Sequence, residues 1–498
     1  MQPAKTEREV IPTEETLDPD DWTALSSLGH RMVDDMLAYL RTLRDQPVWQ
    51  PIPSEVKTYL NHSMPLQPQG AEAVYDDFKT YVLPHSLGNI HPRFWGWVMG
   101  SGTPLGALAE MLAATMNPNV GAFEQGAVYV ERQVLDWCKE MLGYPKEASG
   151  LLLSGASMAN LVALAVARNA KAGFDIAREG VSGAPRRLTL YGSVEMHSSL
   201  RKAIELLGLG SDALRRISVN SSYEIDGPEL RRAISEDRKN GFHPCCVIGN
   251  AGTVNTGAID DLEELANICR EENLWFHVDG AFGALAVLAP DLRPLLQGLE
   301  RADSLAFDLH KWMSVPYGAG CVLVRDAELH HQAFSTPADY LAHAGRGLSA
   351  GPAWFGEYGP ELSREFRALK VWMSIKEHGL EKYGRLVRQN VEQARYLAEL
   401  VTGHPELELL APVPLNIVCF RYTPGSLGDD QLNELNKELL ILLQESGVAA
   451  PSGTVLGGRY ALRVAITNHR SRREDFERLI AAVVKLGREQ SARLAAIA

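Results

Sequence analysis

Residues 304–312 read SLAFDLHKW, an apolar run that ends abruptly in a histidine, a lysine and a tryptophan. The first four residues predict a short strand that is buried on both faces, as in a parallel sheet. Because ligands of open α/β sheets bind beyond the carboxyl ends of the strands, Lys311 is predicted to lie at the rim of a pocket. A partly desolvated amine beside His310 could act there as a nucleophile and form a Schiff base. The alternative is a solvated surface lysine, which is the commoner state for a single lysine.

A second stretch, LLLSGASMANL at residues 151–161, predicts an apolar strand, a turn of small residues and a helix. The start of such a helix can bind phosphate, because small side chains let an anion approach the free N–H groups of the first turn. Ala156 and Ser157 stand at this position, and Ser157 adds a hydroxyl. A serine that only caps the helix is the alternative.

Two further stretches place polar residues at the ends of predicted strands. LWFHVDGAFG at 274–283 carries Asp279, and a buried carboxylate requires a cationic partner. A protonated pyridine nitrogen would serve, and Asp279 would in return keep that ring an electron sink. GSVEMHSS at 192–199 carries His197, whose neutral imidazole could stack on such a ring. A turn cap for Asp279 and a core or capping role for His197 remain the alternatives.

In this order, the four stretches resemble the pyridoxal phosphate (PLP) dependent decarboxylases of the aromatic-L-amino-acid decarboxylase type, with histidine and glutamate decarboxylases as relatives. The resemblance extends from about His91 to Val464. It implies a fold-type I α/β enzyme with a mainly parallel large-domain sheet, an N-terminal helical segment and a smaller α+β C-terminal domain. The reaction it implies is decarboxylation of an L-amino acid to the amine and CO2, by a homodimer with shared active sites.

The resemblance also implies a role for each motif residue. Lys311 would form the Schiff base with PLP, Asp279 would pair with the pyridine nitrogen, and His197 would stack over the ring. Ala281 would pack beneath the ring. Thr253 or Asn255 would be a hydrogen-bonding neighbour of the cofactor or, alternatively, a cap of the helix that follows. The implied cofactor-binding set is Ala156, Ser157, His197, Thr253, Asp279, Ala281, His310 and Lys311.

The composition argues against several other classes of protein. Lysine and arginine number 49 against 62 aspartates and glutamates, a net charge of −13, so no basic stripe is available to bind nucleic acid. The six cysteines show no C-x-x-C spacing, which argues against a zinc site or a disulfide framework and favours the reducing cytoplasm. The first 21 residues lack the pattern of a signal peptide, and no apolar stretch reaches membrane-spanning length.

The alternation of predicted strands and helices defines three regions. Residues 1–93 form an N-terminal arm and helical segment, residues 94–375 the large PLP-binding domain, and residues 376–498 the small domain. Helices are expected over 22–43, 71–83, 105–115, 362–377, 380–400, 430–445 and 473–486. Strands are expected at 151–153, 187–191, 216–219, 245–250, 274–279, 304–307 and 320–324 in the large domain and at 407–409, 416–422 and 462–466 in the small one.

An aromatic substrate is favoured by the residues of the segments that should line the pocket. Trp95, Trp97 and Phe123 are available, and Arg93 is the one basic residue there that could bind a side-chain carboxylate. A decarboxylase of a non-aromatic amino acid is an alternative. A subunit that lacks PLP and only binds a partner is a further alternative, against which the lysine, aspartate and histidine of the motifs together argue.

Two positions depart from the family pattern. Asp308 stands where the family commonly has asparagine, and a carboxylate directed at a phosphate would repel it, so Asp308 is expected to act through its backbone or to point away. The Gly-rich segment 333–359 is expected to be a mobile loop. In an ungapped placement, Phe355 replaces the loop tyrosine that, in the family, returns a proton to the substrate carbon, which makes Tyr358 and His197 the candidate donors. Without a donor, an oxygen-consuming aldehyde synthase is the rival function.

Overall fold

The computed structural model describes residues 15–336, 344–425 and 427–497, so residues 337–343 of the predicted loop lie outside the described part. The chain separates into two compact units. The first comprises residues up to Leu43 together with Ile52–Ser86, and the second comprises Arg44–Pro51 together with the residues from Leu87 onward. Among the described residues, no helix is both long and apolar enough to cross a membrane.

The first unit is helical. Asp21 caps its first helix, because the side chain accepts hydrogen bonds from two N–H groups of the first turn. The α-helix predicted over 71–83 ends at Asp77 and continues as a π-helical turn, Phe78–Val82. The α-helices of this unit are α1 (Trp22–Thr42), α2 (Ser54–Tyr59) and α3 (Ala71–Asp77).

The second unit contains two sheets and the remaining α-helices of the described chain. The strands are β1 (Phe94–Trp95), β2 (Ser149–Leu153), β3 (Leu188–Ser193), β4 (Leu214–Ile217), β5 (His243–Asn250), β6 (Trp275–Asp279), β7 (Ser304–Asp308), β8 (Gly320–Val324), β9 (Leu407–Leu409), β10 (Ile417–Tyr422), β11 (Ala450–Leu456) and β12 (Arg459–Ala465). The helices are α4 (Pro104–Met116), α5 (Gly126–Leu142), α6 (Ala156–Lys171), α7 (Ile176–Glu179), α8 (Ser198–Leu206), α9 (Gly227–Lys239), α10 (Leu262–Glu272), α11 (Ala327–Phe334), α12 (Arg367–His378), α13 (Leu380–Thr402), α14 (Asp429–Glu445) and α15 (Arg473–Ile497).

Seven strands form the larger sheet in the order β2-β8-β7-β6-β5-β3-β4. Strands β3 to β7 run parallel, and β8 is antiparallel to both of its neighbours, β2 and β7. Strands β2 and β7 therefore point the same way, and the carboxyl ends of β2, β3, β6 and β7 meet at one edge. Every residue of β7 is buried, as its continuous apolar pattern predicts for a strand covered on both faces. The predicted fold-type I architecture is confirmed.

The smaller sheet has the order β1-β11-β12-β10-β9, and its pairs are antiparallel except for β1 with β11. Strand β11 was not predicted, because its residues, APSGTVL, are mostly small or polar and three of the seven are not buried. Phe94 and Trp95, assigned by sequence to the large domain, belong to this smaller sheet. A strand of two residues gives no periodic signal, and its position depends on the buried Trp95 ring, which stacks on Phe476 at 4.9 Å.

Two helix boundaries near the predicted loop differ from expectation. Helix α11 extends to Phe334, so it includes the first residues of the segment 333–359. Helix α12 begins at Arg367 instead of residue 362. The preceding backbone stays irregular because the fully buried Arg364 side chain donates to the carbonyls of Val120 and Leu152 and pairs with Glu131.

Candidate functional site

The carboxyl ends of the four aligned strands border a cavity of about 360 Å³. This volume lies within the range of roughly 300–1,000 Å³ that is typical of small-molecule sites. A larger cavity of about 890 Å³ lies elsewhere, but its described lining is rich in carboxylates and contains no lysine, so volume alone does not identify the site. Seven of the predicted site residues line the smaller cavity: Ala156, Ser157, His197, Asp279, Ala281, His310 and Lys311.

The turn between β2 and α6 brings a helix N-terminus to this cavity. A Cβ atom on Gly320, the first residue of β8, would lie 2.4 Å from the Cα atom of Gly155, so only glycine permits this close approach. Helix α6 then begins at Ala156, and Ala156 and Ser157 face the cavity. The positive end of the helix dipole and the Ser157 hydroxyl suit an anionic group such as phosphate.

Lys311 enters the cavity from the turn after β7. Its Nζ atom lies 3.0 Å from Asp308 Oδ2, and Asp308 Oδ1 accepts a hydrogen bond of 2.7 Å from the Ala156 N–H. The expectation that Asp308 would point away or act through its backbone is therefore wrong. As the last residue of β7, Asp308 faces the N-terminus of α6, where the helix dipole and the ammonium of Lys311 stabilise its charge.

Asp279 is the last residue of β6, the strand that pairs with β7, and it is buried. Its Oδ1 atom accepts from the Ala281 N–H at 3.1 Å, and its Oδ2 atom accepts from Asn160 Nδ2 at 3.2 Å. Burial raises the pKa of the Asp279 carboxyl, while the nearby Lys311 and His197 side chains oppose that rise. A carboxylate in this setting favours a cationic partner, as expected for a pyridine nitrogen.

The two predicted histidines reach the cavity in different ways. His197 caps α8, since its Nδ1 atom accepts from the Ser199 N–H at 3.2 Å. The same side chain also lines the cavity, so the cavity position and the capping alternative are both observed. Burial lowers the pKa of His197, which favours the neutral ring needed for stacking. His310 accepts from the Ala319 N–H through Nδ1, and its ring contacts Tyr317 at 4.7 Å. Burial lowers the pKa of His310 as well.

Two predicted site residues do not line the cavity. The hydroxyl of Thr253 lies 3.0 Å from that of Thr256 and accepts from the Ala258 N–H within the same loop. Asp261, not Thr253, caps the helix that follows, so the expected alternative is wrong. The Tyr358 ring packs edge-on against His330 at 5.1 Å, outside the cavity lining. Phe355 is buried beneath the Arg364 guanidinium, 5.2 Å from its ring centre.

The aromatic residues that favoured an aromatic substrate are also placed elsewhere. Trp95 lies in the core of the smaller sheet and donates to Ser471 Oγ. Phe123 contacts the Trp354 ring, and Trp97 is about half exposed. None of the three lines the cavity in the described chain, because the segments that carry them fold against the smaller sheet and the 344–364 region.

Asn160, Ser199 and Tyr317 line the cavity but were not singled out by sequence. Asn160 follows Ala156 by four residues on α6, so helical spacing places both on one face, and this signal could have identified it. Tyr317 has no comparable signal. It reaches the cavity because the chain after Lys311 folds back, with the Leu309 N–H donating to the Ala319 carbonyl.

The donor set fits PLP in its chemistry. Lys311 supplies an amine for the carbonyl group of PLP, and the buried Asp279 supplies a carboxylate for its ring nitrogen. The N-terminus of α6, with its small residues, matches the phosphate. Together with the sheet, this arrangement defines a fold-type I PLP enzyme. The profile of the pyridoxal-dependent decarboxylase conserved domain matches residues 53–423, and the chain belongs to that family. The resemblance noted in the sequence is confirmed, with PLP as cofactor and amino-acid decarboxylation as the reaction.

Individual relatives cover nearly the whole chain. An aromatic-L-amino-acid decarboxylase from Bacillus atrophaeus is 35% identical over 471 residues, which are 94% of this chain and 96% of the relative. A phenylacetaldehyde synthase from Arabidopsis thaliana is 30% identical over 462 residues, 90% of this chain and 93% of the relative. The crystal structure of Oryza sativa TDC with PLP and tryptamine has a TM-score of 0.87 at 26% identity and covers 95% of this chain and 100% of that chain.

Proposed function

We propose that the enzyme decarboxylates an aromatic L-amino acid to the corresponding amine and CO2. The observation that carries this proposal is the meeting of Lys311 and Asp279 in one cavity at the carboxyl edge of the sheet. An aromatic substrate is supported by the Bacillus atrophaeus relative, which is named for such substrates. It is also supported by the cavity lining, where the described residues include no arginine to bind a side-chain carboxylate.

Each cavity residue has a distinct part in this proposal. Lys311 would hold the cofactor through its amine, and the Asp279 carboxylate would hold a proton at the ring nitrogen. His197 and Ala281 would lie against the ring, and Ala156 and Ser157 would hold the phosphate. When bound, PLP supplies the electron sink that lets the bond from Cα to the carboxylate break. The protein determines which bond of the substrate breaks by orienting the substrate in the cavity.

We also propose a homodimer. Helix α1 presents the apolar residues Trp22, Leu25, Met32 and Leu37 to solvent in the single chain, and α4 presents Met111, Leu112 and Met116. A helix that exposes several large apolar side chains to solvent is typical of a protein–protein interface. A cytoplasmic location is supported by the cysteines, since all six are free and buried.

A PLP-dependent aldehyde synthase is the second candidate. It is supported by the similarity to the Arabidopsis thaliana phenylacetaldehyde synthase and by the position of Tyr358 outside the cavity lining. The other tyrosine of the segment 333–359 is Tyr340, which lies outside the described residues. The amine and aldehyde reactions differ in whether the substrate carbon receives a proton or meets O2.

One set of measurements tests these assignments. Borohydride reduction of the holoenzyme followed by peptide mapping should place the cofactor on Lys311, and an unlabelled Lys311 in cofactor-loaded protein would refute the site. A panel of aromatic, acidic and basic amino acids, with amine, aldehyde, CO2 and peroxide measured in parallel, should give amine and CO2 from aromatic substrates. Aldehyde with peroxide would support the synthase, and turnover of acidic substrates alone would refute the substrate class.

A further inference from the structure

A continuous row of buried polar side chains runs beneath the cavity from Trp275 to Asp279. Three of its members follow from strand geometry, because Trp275, His277 and Asp279 alternate along β6 and share one face. Ser304 begins β7 directly opposite His277, and Asn160 comes from α6, which packs on β6. His277, Ser304 and Asn160 have no exposed surface.

Hydrogen bonds join all five side chains without a gap. Trp275 Nε1 lies 2.8 Å from Ser304 Oγ, and Ser304 Oγ lies 2.9 Å from His277 Nδ1. His277 Nε2 lies 2.9 Å from Asn160 Oδ1. Asn160 Nδ2 then donates to Asp279 Oδ2 at 3.2 Å.

The direction of these hydrogen bonds is set at the tryptophan end. An indole N–H can only donate, so Ser304 Oγ accepts from it. Of the two side-chain partners of this hydroxyl, only His277 Nδ1 can accept its hydrogen, so Ser304 donates to that nitrogen. The neutral imidazole then carries its hydrogen on Nε2 and donates to Asn160 Oδ1. Burial lowers the pKa of His277 to about 4, which agrees with a ring holding one hydrogen. The amide of Asn160 is thereby oriented with its NH2 group toward Asp279.

We propose that Trp275, Ser304, His277 and Asn160 act as positioning residues that hold Asp279 in its ionised form against a cationic ring nitrogen. This inference rests on the function proposed above, in which Asp279 pairs with that nitrogen. A reversed Asn160 amide would set a carbonyl oxygen against the carboxylate and would be compatible only with the protonated acid. Burial by itself raises the pKa of Asp279 and favours the neutral acid. The NH2 group of Asn160 opposes this rise, because it donates a hydrogen bond to the ionised carboxylate.

A purely structural role is the competing explanation, because any member removed leaves a buried partner unpaired. The chain offers a matched control in His330, which is also fully buried and has a pKa lowered to about 4 by burial. Its Nδ1 atom lies 2.8 Å from Ser149 Oγ and its Nε2 atom 2.8 Å from the Tyr358 carbonyl. His330 therefore matches His277 in burial and in number of hydrogen bonds, but it does not connect to Asp279.

The test uses holoenzyme loaded with PLP that carries 15N in the pyridine ring. In the parent, the 15N resonance should have the value of a protonated ring. Asn160→Leu and His277→Leu should move it toward the neutral value and lower kcat roughly ten- to hundredfold, as for outer partners of metal-ligating side chains. His277→Gln, which supplies one donor and one acceptor, should restore both, and His330→Leu should leave the resonance unchanged.

An unchanged resonance in Asn160→Leu and His277→Leu would overturn the proposal, whatever their activity. If circular dichroism shows that these variants are unfolded, Trp275→Phe removes one hydrogen bond of the row and Ser304→Ala removes two, while both keep His277 and Asn160. An unchanged resonance in these milder variants would equally overturn it. A parent enzyme that binds no cofactor at all would instead refute the function proposed above, so the two failures are distinguishable.

Discussion

Replacing Asp308 by asparagine should tighten PLP binding. In the structure, the Asp308 carboxylate occupies the Ala156 N–H that a phosphate would use and also holds the Lys311 ammonium at 3.0 Å. Both contacts must be given up or shared when the cofactor binds. Asparagine keeps an oxygen for Ala156 and nearly the same shape, but it removes the charge.

The size of the effect follows from Coulomb's law. Two unit charges about 4 Å apart at an effective dielectric constant of about 20 repel by about 4 kcal/mol. Residual solvation and the loss of the contact with Lys311 offset part of this, so we expect a gain of about 1.4–2.8 kcal/mol, or roughly ten- to hundredfold in Kd.

The assay is a titration of apoprotein with PLP, followed by cofactor absorbance, with inorganic phosphate as a competitor. Phosphate should compete more effectively in Asp308→Asn than in the parent. Asp303→Asn is the matched control, because Asp303 precedes the same strand at the end away from the cavity and accepts from the Phe276 N–H. A Kd for Asp308→Asn that is unchanged or weaker would contradict the competition between Asp308 and phosphate.

Three further predictions concern stability, pH and product. Glu131→Gln should lower the free energy of unfolding by about 3–5 kcal/mol, because it leaves the buried Arg364 without its charge partner; a loss below about 1 kcal/mol in denaturant titrations would argue against this. Burial raises the pKa of Asp260 from 3.8 to about 6. The protonated side chain therefore contributes stability that is fully present below pH 3.8 and is lost as the pH rises through about 6. Relative to Asp260→Asn, the parent should lose about 3 kcal/mol of unfolding free energy between pH 3.5 and pH 7, and a flat difference would contradict this burial effect. Tyr358→Phe should leave the ratio of amine to aldehyde unchanged, since this ring lies outside the cavity lining. A shift toward aldehyde in Tyr358→Phe, with no such shift in Tyr340→Phe, would instead identify Tyr358 as the proton donor.

Much of the fold and the centre of the site could be predicted from local sequence. The strand at 304–308 was predictable because a parallel strand covered on both faces needs a continuous apolar run. Lys311, Asp279, His197 and Ser157 were predictable because each stands at the end of such a strand or at the start of the helix that follows one. Ligands of α/β sheets bind at that edge, so position along the chain and position in space coincide there.

Tertiary structure alone decided the features that depend on contacts between distant segments. The two-residue strand β1 and the polar strand β11 have no periodic pattern, and Trp95 lies in the smaller sheet because Phe476 and Ser471 provide its partners. The direction of the Asp308 carboxylate follows from the helix N-terminus that packs against it. The sequence by itself determined which residues stand at the edge of the sheet, because local periodicity encodes strands and helices. Only the packing of α6 against β6 and β7 decided which atoms of those residues meet, because hydrogen bonds between distant segments leave no local pattern.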